Sequence, residues 1–320
     1  MAVYTEISDG ELTGFLAQYD LGTVLSCKGI AEGIENSNYL LRTETGVYIL
    51  TIYEKRVHRE DLPFFLGLMD HLAAHGFPCA TPVRGRDGES LRDVAGKPAA
   101  IVSFLDGISL RRPEAKHCGL LGEAMARLHL ATADFEMRRA NGLALAGWRP
   151  LFESCETRAD EIETGLESGI AAELDYLERA WPQGLPEGVI HADLFPDNVF
   201  FLGQRLSGVI DFYFACNDFL AYDLAVSLNA WCFESDGAFN ITKAGQLFRA
   251  YGKVRPLDAA ELAALPILAR GAALRFLLTR LHDWLNQVEG AFVRPKDPLE
   301  YWRKLRFHQG VGGTSAYGIA

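Results

Sequence analysis

The sequence lacks an excess of basic residues and closely spaced pairs of cysteines. Lysine and arginine number 31 against 42 aspartate and glutamate, which gives a formal charge of −11 at pH 7. An acidic chain of this kind argues against a protein that binds the phosphate backbone of nucleic acids. The 6 cysteines are widely spread, and no two have the two-residue gap of a zinc or redox motif.

A secretory signal and a membrane span are also missing from what the sequence predicts. The first residues carry early acidic side chains and no long apolar core. The most apolar late stretch, residues 265–278, is interrupted by Arg270 and Arg275 and is too short to span a bilayer. We therefore expect a cytoplasmic protein without nucleic-acid or membrane partners, and its oligomeric state stays open.

The residues that are present predict a globular α+β protein in two parts. Hydrophobic residues make up 49% of the 320 residues, an ordinary composition for a chain long enough to form two domains. Residues 1–107 show a strand hairpin around 44–46, further strands near 90–94 and 98–105, and one helix that begins near Leu62. Residues 108–320 are mostly helical, with predicted helices at 114–131, 151–181, 218–233, 241–251 and 257–288. A strand-rich island lies at 188–212.

The strand-rich island contains the most informative pattern in the sequence. His191 and Asp193 follow a short apolar strand, Asn198 opens the next strand, and Asp211 ends the strand after it. A hairpin centred on Gly203–Leu206 predicts that Asn198 and Asp211 lie opposite each other, with Cβ atoms about 5 Å apart. Carboxylate and amide oxygens are the ligands that Mg²⁺ prefers, and Asp193 would supply a third oxygen group beside them.

This pattern, His-x-Asp-x4-Asn followed by Ile-Asp, resembles the catalytic loop and metal-binding aspartate of the protein-kinase-like phosphotransferases. It is most similar to the aminoglycoside/choline kinase branch, in which one residue separates the histidine from the aspartate. The segments 33–56, 62–82 and 270–284 look like the homoserine kinases of that branch. The resemblance implies a two-lobed kinase fold, ATP and Mg²⁺ as cofactors, and phosphorylation of L-homoserine in threonine biosynthesis. Lobe 1–107 would bind the nucleotide, and lobe 108–320 would hold the catalytic loop and the acceptor.

The resemblance also assigns roles within the catalytic loop. It implies that Asp193 orients the acceptor hydroxyl and receives its proton, and that Asn198 and Asp211 bind the metal. His191 shapes the loop, and Asp223 braces it by hydrogen bonding. Asp218, near the start of the following helix, is expected to be an N-cap.

The nucleotide is expected to lie between the lobes. Residues 29–39 take the position of the glycine-rich loop, whose backbone N–H groups cradle phosphate oxygens. The residues expected to contact phosphates are Gly33, Glu35, Asn36, Ser37 and Asn38, the last two also through their side chains. The backbones of Ser103 and Leu105 would face the purine.

One position departs from the kinase pattern, and alternatives stay open for the function and for the acceptor. Thr51 occupies the place of the phosphate-anchoring lysine, so Lys55 or Arg56 would have to reach in, and Glu60 gains no partner. An inactive nucleotide-binding pseudokinase is therefore an alternative. Another alternative is a kinase for choline, an aminoglycoside or methylthioribose. For an amino-acid acceptor, the candidate carboxylate ligands are Arg270, Arg275 and Arg280.

Overall fold

The computed structural model describes residues 5–30, 36–54, 57–286 and 295–319. The first third of the chain forms an antiparallel five-stranded sheet in the order β1-β2-β3-β5-β4. Its elements are α1 (Asp9–Leu16), β1 (Val24–Gly29), β2 (Ser37–Thr43), β3 (Val47–Ile52), α2 (Leu62–Ala74), β4 (Arg92–Val94) and β5 (Lys97–Ser103). The predicted hairpin, the predicted helix near Leu62 and both later strands are confirmed.

The two faces of this sheet pack against different partners. Burial alternates along β2, as expected for a strand whose successive side chains point to opposite faces. One face, including Leu41 and Leu50, forms a small core with Phe15 of α1. The other face packs towards α2, whose apolar residues belong to a second, larger core that continues into the rest of the chain. The apolar packing therefore does not divide at Gly107, although the sheet ends there.

The remainder of the chain is mostly helical, as predicted. Its elements are β6 (Ile108–Ser109), α3 (Ala115–Ala131), α4 (Leu145–Glu153), α5 (Leu166–Ala180), β7 (Glu187–Ile190), β8 (Val199–Leu202), β9 (Arg205–Val209), β10 (Cys216–Phe219), α6 (Leu220–Trp231), α7 (Ile241–Val254), α8 (Ala259–Leu285) and α9 (Pro298–Gln309). The predicted helix over 151–181 is wrong in its middle. It is divided into α4 and α5 by a short 3₁₀ segment, and Gly165 precedes α5 in a left-handed conformation at φ +85°.

Helix α8 extends beyond the apolar stretch 265–278 at both ends. It spans 27 residues, and by length and composition alone it could cross a membrane. In the described chain, 67% of its most apolar window is buried. It packs against α6 and α9. Its hydrophobicity is therefore accounted for by its place in the core of the protein.

Helix α2 is attached at its C-terminal end to the helical part of the chain. The His71 imidazole Nε2 lies 2.8 Å from the carbonyl of Ala131, at the end of α3, and 3.2 Å from the carboxylate of Asp134. Apolar packing on the larger core adds to these contacts. Although α2 lies between two strands of the sheet in the sequence, β3 and β4, its contacts tie it to the helical lobe.

Gly107, where the chain leaves the sheet, tolerates no side chain. Its φ is +144°, and a Cβ placed there would lie 2.4 Å from the Ser207 hydroxyl and 3.0 Å from Phe200. We expect Gly107→Ala to lower the free energy of unfolding by about 3 kcal/mol, the sum of backbone strain and overpacking. Gly184→Ala is the matched control, because Gly184 also has positive φ but no atom within 4 Å; it should cost about 1 kcal/mol. Urea denaturation measures both, and equal losses would contradict the crowding at Gly107.

Candidate active site

The catalytic loop leaves β7 in a strained conformation that its neighbours hold in place. Strand β7 pairs with β10, and after its last residue the backbone of Ala192 adopts a left-handed φ of +62°. The N–H groups of His191 and Ala192 donate to the two carboxylate oxygens of Asp223, at 3.0 and 2.9 Å. The carbonyl of Ala192 accepts from the Arg275 guanidinium. Such strain persists only where the surroundings determine the backbone fully, as they do here.

Asp223 is ionised although it is fully buried. Burial alone would raise the pKa of this carboxyl, but hydrogen bonds from His129 and from the backbone of His191 bring the pKa below its ordinary value. The Nε2 atom of His129 lies 3.1 Å from the carboxylate, and its Nδ1 lies 2.8 Å from the Tyr251 hydroxyl. Asp223 therefore holds the loop through charge-assisted hydrogen bonds, and both of its carboxylate oxygens have donors.

His191 connects the catalytic loop to the strand that leads into Asp211. Its Nδ1 accepts a hydrogen bond from the N–H of Asp193 at 3.3 Å, so the proton resides on Nε2, which lies 3.0 Å from the carbonyl of Ile210. Burial lowers the pKa of this imidazole, which keeps it neutral. His191 therefore fixes the position of the loop relative to the residue before Asp211.

Asp193 is half-buried and lies beside Asn198. The amide Nδ2 of Asn198 donates to the Asp193 carbonyl at 2.8 Å and to its carboxylate Oδ2 at 3.2 Å. Burial raises the pKa of Asp193 to about 6, while the charges of Arg275 and Lys296 oppose that rise. A carboxyl with this pKa is ionised at neutral pH and has an unusually high affinity for a proton, which suits a group that accepts one.

The predicted register between Asn198 and Asp211 is wrong by one residue. Val199 pairs with Val209, and the N–H of Ile210 donates to the carbonyl of Asn198 at 3.0 Å, so Asn198 lies opposite Ile210. The cause is the position of the turn: Leu202 pairs with Arg205, so the turn is centred between Gly203 and Gln204, one residue before the predicted centre. That difference alone would shift the pairing by two residues, and a bulge between Phe200 and Phe201 offsets one of them. Asp211 follows in a left-handed conformation, with φ +66°.

The groups around the loop fit a magnesium ion bound with a nucleotide. Asn198 uses its Nδ2 within the loop, so Oδ1 is the atom of this side chain that can bind a metal. The carboxylates of Asp193 and Asp211 complete a set of hard oxygen donors, which suits Mg²⁺ and not a softer metal. When bound, the ion neutralises charge on the transferred phosphoryl group.

Of the residues expected to contact phosphates, the structure describes those from Asn36 onwards. Gly33 and Glu35, like Lys55 and Arg56, lie outside the described residues. The prediction for the Ser37 side chain is wrong, because Ser37 and Asn38 are neighbours on β2 and point to opposite faces of the sheet.

Ser37 and Asn36 are instead occupied by Glu54. The buried Ser37 hydroxyl donates to the Glu54 carboxylate at 2.7 Å, and the amide oxygen of Asn36 accepts from the Glu54 N–H at 3.2 Å. Lys97 pairs with the same carboxylate. These contacts tie the start of β2 to Glu54 and Lys97, so the Ser37 hydroxyl is already used within the protein.

Asn38 lies on the same face as Thr51, the position of the missing lysine. The two residues are paired across β2 and β3, and the Thr51 hydroxyl donates to the Asn38 amide oxygen at 2.8 Å. Thr51 is 3% exposed. Asn38 therefore keeps its amide nitrogen as the possible donor to a phosphate, and Thr51 supports it.

In the segment that joins the lobes, the backbones of Ser103 and Leu105 differ in the groups that they leave for a purine. The N–H of Ser103 is bonded to the carbonyl of Thr81 at 2.9 Å, so it cannot also donate to a purine. Within the described ranges, the N–H and carbonyl of Leu105 make no backbone hydrogen bond. Leu105 is therefore the better candidate for the purine edge.

The three candidate arginines of α8 do not converge. Arg270 forms a bidentate ion pair with Glu173 at 2.7 and 2.6 Å. Arg280 pairs with Glu300 at 2.6 Å. Arg275 alone reaches the catalytic loop, where it holds the carbonyl of Ala192. Arg270 and Arg280 are thus each engaged by a carboxylate within the protein, although Arg280 shares Glu300 with Lys304.

Two features of the site were missed or misjudged from the sequence. Lys296 was not predicted, yet its charge acts on Asp193, and its ammonium group lies 5.3 Å from the centre of the Phe195 ring. No sequence pattern marks it, because it is distant in the chain from residues 191–211. Asp218 is not an N-cap: it lies in β10, and its carboxylate accepts from Asn141 at 2.6 Å and from the N–H of Phe219 at 2.7 Å.

Comparison with known proteins agrees with this geometry. Residues 26–257 match the model of the phosphotransferase enzyme family (APH). The solved structure of a microcompartment-associated aminopropanol kinase superposes with a TM-score of 0.67 at 19% identity and covers 95% of each chain. A spectinomycin phosphotransferase in complex with ADP and spectinomycin gives the same TM-score of 0.67 at 13% identity and covers 99% of each chain. At such identities these neighbours establish the two-lobed α+β kinase-like fold alone.

The chain belongs to the phosphotransferase enzyme family, and it is an ATP-dependent kinase that acts on a hydroxyl group. Its relatives include the homoserine kinase of Xanthobacter autotrophicus, which is 65% identical over 320 residues and covers 100% of both chains. The homoserine kinase of Paramagnetospirillum magneticum is 65% identical over 325 residues and also covers 100% of both. The resemblance drawn from residues 33–56, 62–82 and 270–284 is thereby confirmed.

The Asp193→Asn variant should separate activity from stability. We expect turnover to fall by about 10²-fold to 10⁴-fold, because the amide cannot accept the hydroxyl proton. The raised pKa means that ionisation of Asp193 opposes folding above its unfolded pKa, so the neutral amide should be at least as stable at pH 7. Coupled ADP release and thermal melting test the two parts. Unchanged turnover would remove Asp193 from the mechanism, and a clear loss of stability would contradict the strained ionised state.

The pH dependence of the reaction should follow the same carboxyl group. Because Asp193 accepts a proton only when ionised, kcat/KM should fall as the pH drops through about 6, the value to which burial raises its pKa. Lys296→Met should move this limb to higher pH, since the lysine charge opposes that rise. An acid limb near the ordinary pKa of an aspartate would contradict the assignment.

Proposed function

We propose that this protein transfers the γ-phosphoryl group of MgATP to the side-chain hydroxyl of L-homoserine, in the synthesis of threonine. The observation that carries the proposal is 65% identity along the whole chain to enzymes named homoserine kinase. The geometry supports it: a proton-accepting carboxylate at Asp193 adjoins oxygen ligands for a metal. All 6 cysteines are unpaired, in keeping with the reducing cytoplasm that we propose as its compartment.

In this mechanism the chain's own groups position the reactants. Asp193 orients the acceptor hydroxyl and receives its proton late, as the bond to phosphorus forms. Asn198 occupies one carboxylate oxygen of Asp193 and so leaves the other for the hydroxyl. His191 and Asp223 keep the loop in register with Asp211.

We propose Lys296 as the cation that binds the carboxylate of the acceptor. Together with Arg275, its positive charge opposes the rise in the pKa of Asp193, so it lies within electrostatic reach of the reacting hydroxyl. Its side chain is 54% exposed, and its ion pair with Asp197 is loose, at 3.9 Å. Arg275 is buried and bonded to the carbonyl of Ala192 in the catalytic loop. Its positive charge therefore acts on Asp193 from within the protein.

Acceptor selectivity tests both the function and this cation. ADP release should be fast with L-homoserine and slow with choline, methylthioribose, kanamycin and L-serine. The most informative comparison is 3-aminopropan-1-ol, which is homoserine without its carboxylate. Lys296→Met should raise the KM for homoserine by about tenfold or more and leave 3-aminopropan-1-ol almost unaffected, since a charge-assisted contact is worth roughly 1.5–3 kcal/mol.

Lys116→Met is the matched control, because Lys116 has 52% exposure and a carboxylate neighbour at 3.2 Å. Turnover of another acceptor would keep the catalytic loop and overturn the choice of homoserine. Measurable ATP binding without turnover of any of the compounds would favour the pseudokinase, for which the buried Thr51 is the specific observation.

A further inference from the structure

The chain must hold α2 against the metal-binding loop without the lysine–glutamate pair of protein kinases. Thr51 stands in place of the lysine and is bonded to Asn38. Glu60 is exposed on a short turn before α2. Another set of contacts therefore has to fix α2 relative to Asp211 and the residues after it.

Arg139 makes such contacts from a segment that neither the catalytic loop nor the nucleotide uses. Its Nε donates to the carboxylate of Asp61, in the turn that leads into α2, at 2.8 Å. Its Nη1 donates to the carbonyl of Ala215 at 3.2 Å. Its backbone N–H donates to the side-chain oxygen of Asn217 at 2.9 Å. The guanidinium also lies 4.9 Å from the centre of the Phe65 ring on α2.

A second anchor lies between Asp211 and those contacts. The Tyr213 ring packs edge-on against Phe65 of α2 and against Tyr53, with centroid distances of 5.7 and 5.4 Å. Its hydroxyl donates to that of Tyr53 at 3.4 Å. The residues after Asp211 are thereby held at two points against α2 and the strand before it.

We propose that Arg139 is a positioning residue that fixes the metal-binding Asp211 by clamping the segment 212–217 to the start of α2. Asp211 has a left-handed φ of +66°, a conformation that a non-glycine residue keeps only when its surroundings enforce it. His191 holds the backbone just before Asp211, and the clamp holds the backbone after it. Arg139 thus performs, from the helical lobe, the coupling that the lysine–glutamate pair performs in protein kinases. The inference rests on the proposed phosphoryl transfer but not on the identity of the acceptor.

A cavity next to Arg139 makes a chemical test possible. It has a volume of about 490 Å³, and its lining includes Asp61, Phe65, Arg139 and Tyr213. In Arg139→Ala a free guanidinium ion can enter this space and meet the same carboxylate and carbonyl. A role in local geometry can then be restored without restoring the covalent side chain.

Arg139→Ala should weaken metal binding and turnover together. We expect affinity for Mn²⁺ in the presence of a non-hydrolysable ATP analogue, read by electron paramagnetic resonance, to fall by about tenfold, as for other groups that orient metal ligands. The kcat should fall by a similar factor of about ten while the KM for the acceptor stays within about twofold. Added guanidinium should recover both quantities. Arg139→Lys should retain more activity than Arg139→Ala.

Arg149→Ala is the control, because Arg149 also bonds two carboxylates but lies on the exposed side of α4. It should leave metal affinity and kcat unchanged and show no response to guanidinium. Thermal melting separates a clamp from unfolding: a folded Arg139→Ala with unchanged Mn²⁺ affinity overturns the proposal. A rise in acceptor KM without loss of kcat also overturns it, since Arg139 would then bind substrate. Failure to phosphorylate homoserine would sink only the proposed acceptor, because the Mn²⁺ measurement needs none.

Discussion

The buried carboxylate of Asp223 is the interaction on which the site depends. It receives the N–H groups of His191 and Ala192, and thereby permits the left-handed turn that presents Asp193. His191 carries the same constraint onward to Ile210, the residue before Asp211. Each buried donor left without its partner destabilises the fold by about 1–3 kcal/mol. Loss of the Asp223 carboxylate would therefore disturb the loop, the proton acceptor Asp193 and the metal ligand Asp211 at once.

The contacts of Thr51 explain why the lysine of protein kinases is absent at this position. A charged side chain at that position would enter a 3%-exposed pocket, where Thr51 and Asn38 already satisfy each other. A buried charge without a partner is costly, and Glu60 is too exposed to provide one. The chain therefore joins α2 to the metal loop through Asp61, Arg139 and aromatic packing.

The sequence was sufficient for the sheet, most helices and the grouping of Asp193, Asn198 and Asp211, because these follow from periodicity and from a rare local pattern. It was insufficient for the register of the β8–β9 hairpin, since the residues that form the turn, Gly203 and Gln204, and the bulge between Phe200 and Phe201 both depend on the packing around such short strands. Arg139 could not be found either. Its partners Asp61 and Asn217 are each 78 residues away in the chain, and nothing local distinguishes it from other arginines.

The attachment of α2 shows which part of the protein holds the active site in place. At one end α2 is tied to the helical lobe by Asp61 and Arg139, and at the other by His71 and the end of α3. Its apolar face belongs to the larger core, whereas the far side of the sheet has a small core of its own. The bracing of the strained loop does not pass through the sheet, because His191, Asp223, His129 and Arg275 all lie after Gly107 in the helical lobe. The geometry of the catalytic loop is therefore set by the helical lobe alone.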